Sequence, residues 1–248
     1  MTGCIMFYKI NKFLKRIFDL LVCVPAVLIL LPVWIAIAIA IKCDSKGPVF
    51  FGQNRRTKNG RIFKMYKFRS MVVNAESMGA GLFNYENDPR VTKVGRFLRN
   101  TSLDELPQLF NVIKGDISLV GPRPCVVYEL GDFNTLNNTY KKRFEIKGGI
   151  TGWAQVKGRN ENSWHEKVLL DNEYIECFKK QGLWLDFKIL FLTVVNVFKS
   201  KDIYEEKADE NLSAEEAAQL AEEEIIRIAH LPDEELAPIT AKIKEGSI

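Results

Sequence analysis

The sequence predicts a membrane-associated α+β protein, and three observations carry that expectation. Residues 20–41 run for 22 positions without a charge, about 33 Å as a helix at roughly 1.5 Å per residue and so long enough for a hydrocarbon core of about 30 Å. After it, PVFFGQNRRTKNGRIFKMYKFRSM reads as two short strands around Asn59-Gly60, a pair suited to a tight hairpin turn. Beyond the strands, Leu106, Leu109, Phe110 and Ile113 fall at the spacing of a buried helix face, with Lys114 in the last turn and Gly115 as a stop.

Composition narrows the class. At 47% apolar residues the 248-residue chain can bury a core, which excludes disorder for most of it. The net charge of +4 hides a partition: residues 1–200 hold 30 Lys and Arg against 17 Asp and Glu, a net +13, while residues 201–248 hold 5 against 14, a net −9. A basic body implies an anionic partner, which charge alone leaves open among nucleic acid, a lipid headgroup and a phosphorylated substrate. The five cysteines are odd in number, widely spaced and never in a C-x-x-C pattern, so neither a disulfide framework nor a thiolate metal site is indicated. With only His165 and His230, a multi-histidine metal site or a Ser-His-Asp arrangement is poorly supplied, which leaves carboxylates and arginines for any chemistry.

The length of the apolar run favours a membrane segment over a buried core helix. Ala36-Ile37-Ala38 imitates a signal cleavage site but lies inside a run too long for an h-region. Lys9, Lys12, Lys15 and Arg16 precede the run, and Lys42, Lys46, Arg55 and Arg56 are among the basic residues that follow it. By the positive-inside rule both flanks face the cytoplasm. Pro32 sits near the middle, where it removes a helical hydrogen bond and clashes one turn back, and Pro25 adds a second break. A kinked, re-entrant helix satisfies both observations; a single-pass anchor with a tolerated kink is the alternative.

In the body, Lys64, Lys67 and Arg69 stud the strand pair, where they would meet lipid phosphates, a phosphorylated substrate or solvent. Residues 74–87 turn polar and read as a loop, and Val91, Val94, Phe97 and Leu98 give a short helical period. TSLDELPQLFNVIKGDISLVGPRP then sets Asp104 and Glu105 at a helix start. Ser102 with Glu105 three residues on fits a capping box; with Asp104 as the cap instead, Pro107 falls in the first turn, where no amide donor is needed. Either way both carboxylates sit at a positive helix end. KGGITGWAQVKGRN reads as a loop presenting Trp153, Gln155 and Arg159, suited to a nucleotide base and its phosphates or to simple packing of the tryptophan. A helix is expected over 164–178. The apolar run at 183–198 is too short and too charged to span, and either lies in the membrane interface or buries as core. The tail has a capping-box start at Ser213 and Glu216 and an Ala/Glu-rich helical stretch to about His230.

In one order, the basic flank, the proline-broken apolar segment, KFRSM, SLDELPQLFNVIKGDISLVGPRP and GITGWAQVKGRN resemble the bacterial sugar transferases called monotopic phosphoglycosyl transferases, over about residues 12–200. The resemblance implies an enzyme that moves a phosphosugar from a UDP-sugar onto undecaprenyl phosphate, releasing UMP, with Mg2+ as cofactor, to initiate glycan assembly. It implies Asp104 as nucleophile and Glu105 as the Mg2+ ligand. Arg99 and Arg123 would meet phosphates, with Lys67 and Arg69 beside them, and Trp153, Gln155 and Arg159 would lie near the uridine. Residues 1–47 would form a basic N-terminus and re-entrant membrane helix, 48–200 a cytoplasmic catalytic domain, and 201–248 an acidic, helical tail outside the resemblance. The partners implied are the two substrates and the lipid of the bacterial inner membrane, with no nucleic acid and a homo-oligomer left open. Where the family often has Ser-Pro at the membrane break this chain has Leu31-Pro32, so the kink must satisfy its freed backbone group without a serine.

The residue types suit this chemistry in their own right. A carboxylate attacking a diphosphate is an anion approaching an anion, so the site must spread charge over a hard cation and arginines. An unperturbed aspartate, with a pKa near 3.9, is ionised at neutral pH. A rigid Pro-Arg-Pro holds its guanidinium where a bidentate phosphate contact needs it. The competing expectation is a membrane-anchored basic binding module in which Asp104-Glu105 only starts a helix.

Overall fold

The computed structural model describes residues 2–78, 88–158, 162–199 and 213–246. Helix α1 (Thr2–Asp44) is a single element of 43 residues with two stripes at three-to-four spacing. Phe13, Ile17, Leu21, Leu28, Leu31, Ile35 and Ile39 are exposed along one side, whereas Asn11, Lys15, Asp19, Cys23, Trp34, Ile37 and Ile41 are buried along another. A helix with one buried stripe of this length lies along the body of the fold. Polar contacts fasten both of its ends. Near its start, Asn11 accepts from the Leu183 N–H at 3.2 Å, Lys15 pairs with Asp186, and Arg16 donates to the carbonyls of Val112 and Ile113 at 2.6 and 2.8 Å. Asp19 accepts from the Ser118 hydroxyl and the Leu119 N–H. Near its end, Asp44 accepts from the Val94 N–H at 3.0 Å, and between the two Trp34 stands edge-on to Phe68 and Phe110.

The helix runs through Pro25 and Pro32 without a change of element, so the interruption expected at Pro32 is absent as a break in the helix. The two prolines are seven residues apart and both are exposed, so each removes its donor on the side away from the body.

Strands β1 (Phe50–Arg56) and β2 (Ile62–Phe68) form the expected antiparallel hairpin, in register from Phe50↔Phe68 to Arg56↔Ile62. The connection is longer than a two-residue turn. A 3-10 turn spans 58–60, Thr57 donates to the Arg61 carbonyl at 2.9 Å, and Asn59 and Gly60 both take positive φ, 57° and 72°, the freedom that Asn-Gly supplies. Of the loop expected at 74–87, residues 75–77 form a 3-10 turn and 79–87 lie outside the described residues.

Helix α2 (Lys93–Asn100) is capped by Thr92 and packs closely on the end of β2, since a Cβ at Gly95 would collide with the Ser70 carbonyl. Helix α3 (Gln108–Lys114) stops at Gly115, φ 88°, as its sequence suggests. Strand β3 (Ser118–Val120) pairs in parallel with β4 (Gly149–Thr151), and α4 (Asn138–Lys142) lies between them in sequence. The part of the expected loop around Trp153 is instead helix α5 (Trp153–Gly158): Gly152 precedes the helix and Gly158 ends it, so neither interrupts it. Helix α6 (Trp164–Gln181) starts with a capping box of Ser163 and Glu166.

Helix α7 (Leu183–Lys199) meets both expectations for the second apolar run, because its two faces differ. Leu185, Asp186 and Ile189 are buried, while Trp184, Phe187, Phe191 and Val194 are exposed, and Phe187 stands edge-on to Phe18 of α1 at 5.0 Å. Among the described residues the architecture is α+β: helices around two small two-stranded sheets, with one long apolar helix.

In the acidic tail, α8 (Ala214–His230) packs on the body through apolar groups, and α9 (Asp233–Gly246) meets it through Asp233, which accepts from Asn138, and Thr240, bonded to His165. Ala229, Ile225 and Ile228 join a cluster with Leu130, Leu136, Tyr140 and Phe144, and the Asn137 N–H donates to the Ala229 carbonyl at 3.0 Å. Ala229→Asp would bury an unpaired carboxylate there, at a cost of at least about 2 kcal/mol. The expected result is a tail cut readily by protease on a body that melts as before; an equally protected tail would refute this mode of docking.

Candidate active site

Four elements bring the charged residues of the KFRSM, Asp-Glu and Pro-Arg-Pro stretches together. Lys67 is on β2, Arg99 in the last turn of α2, Asp104 and Glu105 in a 3-10 turn (Leu103–Glu105) just ahead of α3, and Arg123 in the segment after β3. Asn111 fixes α3 to β2 beside Lys67: its side chain donates to the Lys64 carbonyl at 2.8 Å and accepts from the Tyr66 N–H at 3.0 Å. One buried amide thus ties the helix that follows the acids to the strand that carries the lysine.

Neither expected side-chain cap forms ahead of α3, whose N-cap position is Pro107. Ser102 takes the left-handed conformation, φ 55°, and its side chain makes no capping bond, so the expected capping box does not form. Glu105 is turned to cations instead. Lys67 donates to its Oε1 at 3.0 Å, and Arg123 holds both carboxylate oxygens. Asp104, whose side chain is 10% exposed, has Lys67 Nζ at 3.9 Å. Burial pushes the Asp104 carboxyl above the ordinary aspartate range; Lys67 opposes the shift and the like charge of Glu105 adds to it. Burial also lowers the Lys67 ammonium, against the pull of Glu105 and Asp104.

These groups line one cavity of about 660 Å³, within the usual range of roughly 300–1,000 Å³ for ligand sites. Its polar wall includes Arg99, which donates to the Ser70 hydroxyl at 3.0 Å, and Arg55, which donates to the Pro124 carbonyl at 2.6 Å. Phe50, Phe51, Val72 and Val73 form an apolar, partly exposed lip.

The structure redirects some of the residues singled out from sequence. Arg69 touches the cavity, but its guanidinium donates to the carbonyls of Ile41, Ser45 and Lys46 and so caps the end of α1. Trp153 packs against the core beneath Lys157 and Lys188 and does not line the cavity, whereas Gln155 does, with its Nε2 donating to the Ile150 carbonyl at 2.8 Å and its buried Oε1 without a partner. Arg159 lies outside the described residues. Sequence reasoning missed Arg55, Arg143, Lys167 and Asp171, all on the cavity wall. Asp171 carried a signal, a carboxylate on the face that α6 shares with the buried Val168, Tyr174 and Ile175.

Among the described residues no group of three or more His, Cys, Asp or Glu comes together. The pair of carboxylates nonetheless suits Mg2+, which binds through one or two carboxylates and completes its shell with phosphate oxygens and water. A metal at Glu105 would compete with Lys67 and Arg123 for the same oxygens.

A family model described as bacterial sugar transferase matches residues 10–200. The chain is 44% identical over 197 residues to the UDP-glucose:undecaprenyl-phosphate glucose-1-phosphate transferase of Escherichia coli (strain K12), covering 79% of this chain and 42% of that protein. It is 40% identical over 208 residues to the undecaprenyl-phosphate galactose phosphotransferase of Salmonella typhimurium, covering 78% and 42%. To the UDP-N-acetylgalactosamine-undecaprenyl-phosphate N-acetylgalactosaminephosphotransferase of Aeromonas hydrophila it is 41% identical over 193 residues, covering 77% and 45%. The chain therefore spans about two fifths of the length of these relatives. Near-equal identity to proteins named for three sugars gives no preference among those sugars.

Proposed function

From the premise that this chain belongs to the bacterial sugar transferase family, we propose that it transfers a phosphosugar from a UDP-sugar to undecaprenyl phosphate, releasing UMP, as the first membrane step in assembling a bacterial glycan. The single observation that carries this reading is Asp104, buried and uncapped by any helix role, beside Lys67, Glu105 and Arg123 in a ligand-sized cavity.

In the first half-reaction an Asp104 carboxylate oxygen attacks the phosphorus that bears the sugar. The bond from that phosphorus to the bridging oxygen breaks, and UMP leaves with the electron pair. In the second, a phosphate oxygen of undecaprenyl phosphate attacks the same phosphorus, the aspartyl oxygen leaves, and the carboxylate is restored with undecaprenyl diphosphosugar as product. One site thus handles a soluble donor and a lipid acceptor in turn. Lys67, Arg99 and Arg123 offset the charge of the diphosphate as the anion approaches. Glu105 keeps Lys67 and Arg123 aimed at one place by hydrogen bonds to both. Mg2+ bound by Glu105, with Asp104 close by, would add a hard Lewis acid for the phosphate oxygens. The test is UMP release from a panel of UDP-sugars with and without undecaprenyl phosphate; no release from any of them would sink the reading.

The reading includes a domain on the cytoplasmic face of the inner membrane and a helix that enters and leaves on that side. Its support is that both ends of α1 are fastened to the same body, at Lys15 and Asp19 and again at Asp44, while α1 and α7 each expose apolar residues that suit lipid. A helix that spanned would place those attachment points on opposite faces of the bilayer, whereas here one body holds both. Single cysteines near Lys9 and near Lys46, in an otherwise cysteine-free chain, are expected to resist an impermeant periplasmic reagent in intact cells. Labelling of the first alone would mean a spanning helix.

A further inference from the structure

Arg143 and Asp171 line the cavity but touch neither Asp104 nor Glu105, and nothing in the proposed reaction uses them. Both are buried, their side chains 4% and 2% exposed, and they form an ion pair: Arg143 Nε donates to Asp171 Oδ2 at 3.1 Å, and Nη2 lies 2.9 Å from the same oxygen. The face of the guanidinium lies 4.7 Å from the ring centre of Trp164, which limits its rotation. The same Nη2 also donates, at 2.8 Å, to the main-chain carbonyl of Arg123. Arg123 in turn grips both oxygens of Glu105.

A buried ion pair is a weak source of stability, because removing two charges from water offsets much of their attraction. Burial raises the Asp171 carboxyl to about 6 even with Arg143 against it, so this pair carries that cost. What it supplies is geometry. Arg143 joins three separate parts of the chain, the end of α4, the middle of α6 and the Pro-Arg-Pro segment, and its bond falls on the backbone of the one arginine in that segment.

We infer that Arg143 and Asp171 are positioning residues that set the reach of Arg123 toward Glu105 and the substrate's phosphates. The inference rests on the transferase reading. It has a definite consequence: the pair acts on turnover through Arg123 and by no other route. A displacement of about 1 Å in a charge-stabilising group costs on the order of a hundredfold in rate. Arg143→Lys keeps a charge for Asp171 but cannot bond to both Asp171 and the Arg123 carbonyl as the planar fork does.

The experiment is a double-mutant cycle on UMP release with both substrates. Arg143→Lys alone is expected to lower kcat about ten- to a hundredfold with little change in donor KM, whereas in an Arg123→Ala background it should change kcat by less than about threefold. Equal losses in the two backgrounds would overturn the inference, since a role in general packing does not depend on the Arg123 side chain. If Arg143→Lys fails to fold, Asp171→Asn, which keeps an oxygen for the guanidinium, takes its place in the cycle with the same two outcomes. An inactive wild type would overturn the transferase reading and this inference with it, whereas an active wild type with an additive cycle overturns this inference alone.

Discussion

Asp104→Asn is expected to give a folded protein whose transfer rate lies at least about ten-thousand-fold below wild type, the scale seen when a covalent nucleophile is removed. The substitution keeps the shape of the side chain and removes its charge. No helix cap is lost, because the turn at 103–105 is not held by a side-chain cap. Stability should not fall at neutral pH, for a reason of sign. A carboxyl whose folded pKa is raised adds stability below its unfolded pKa, and that stability is lost as pH rises through the folded value. Burial raises Asp104, so at pH 7 its ionised form is a cost that asparagine does not carry. The variant should therefore match or exceed wild type in thermal unfolding at pH 7, with the difference fading toward about pH 4. Donor alone should give wild type a single turnover of UMP and a phosphosugar adduct on Asp104, and give the variant neither. A variant within tenfold of wild type would remove Asp104 from the chemistry; an adduct-free wild type that still turns over with both substrates would remove the covalent step and leave the enzyme.

The raised Asp104 also shows where sequence reasoning stopped. An isolated aspartate is ionised at neutral pH, and the linear sequence gives no reason to expect otherwise. The shift comes from burial, with the like charge of Glu105 adding to it and Lys67, Arg99 and Arg123 opposing it, surroundings that only the assembled chain supplies. The elements with strong local signals were legible: the apolar period of α1, the hairpin around Asn59-Gly60, the stop at Gly115 and the capped start of α8. Trp153 to Gly158 was not, because its flanking glycines read as punctuation while a six-residue helix fits between them. Arg69 looked like Lys67, two positions away on the same strand face, yet the close of α1 supplies it with carbonyls to bind. Arg143 and Asp171 lie 28 residues apart and are paired across two helices, a contact with no local trace. Motif order and spacing thus identified the charged centre, and tertiary packing decided which neighbouring cations serve it.

Glu105→Gln is the second large effect expected, a fall of about a hundred- to a thousandfold in the plateau rate, comparable to losing one preorganised charge-stabilising group. Its effect on pH dependence should run the opposite way. Glu105 is a like charge that helps to raise Asp104, so its removal should make Asp104 ionise more readily and move the acid limb of kcat/KM to lower pH. If Glu105 were only a neighbour, that change alone would leave the plateau intact. The plateau falls because Lys67 and Arg123 both lose the carboxylate that orients them, and the buried Lys67 ammonium, already lowered by desolvation, loses its nearest anion. The signature is therefore a lower plateau with an acid limb displaced downward. Raising Mg2+ then divides the two duties proposed for Glu105: partial recovery of the plateau assigns it to metal binding, and no recovery over a wide Mg2+ range assigns it to holding the two cations. A plateau unchanged from wild type would exclude both.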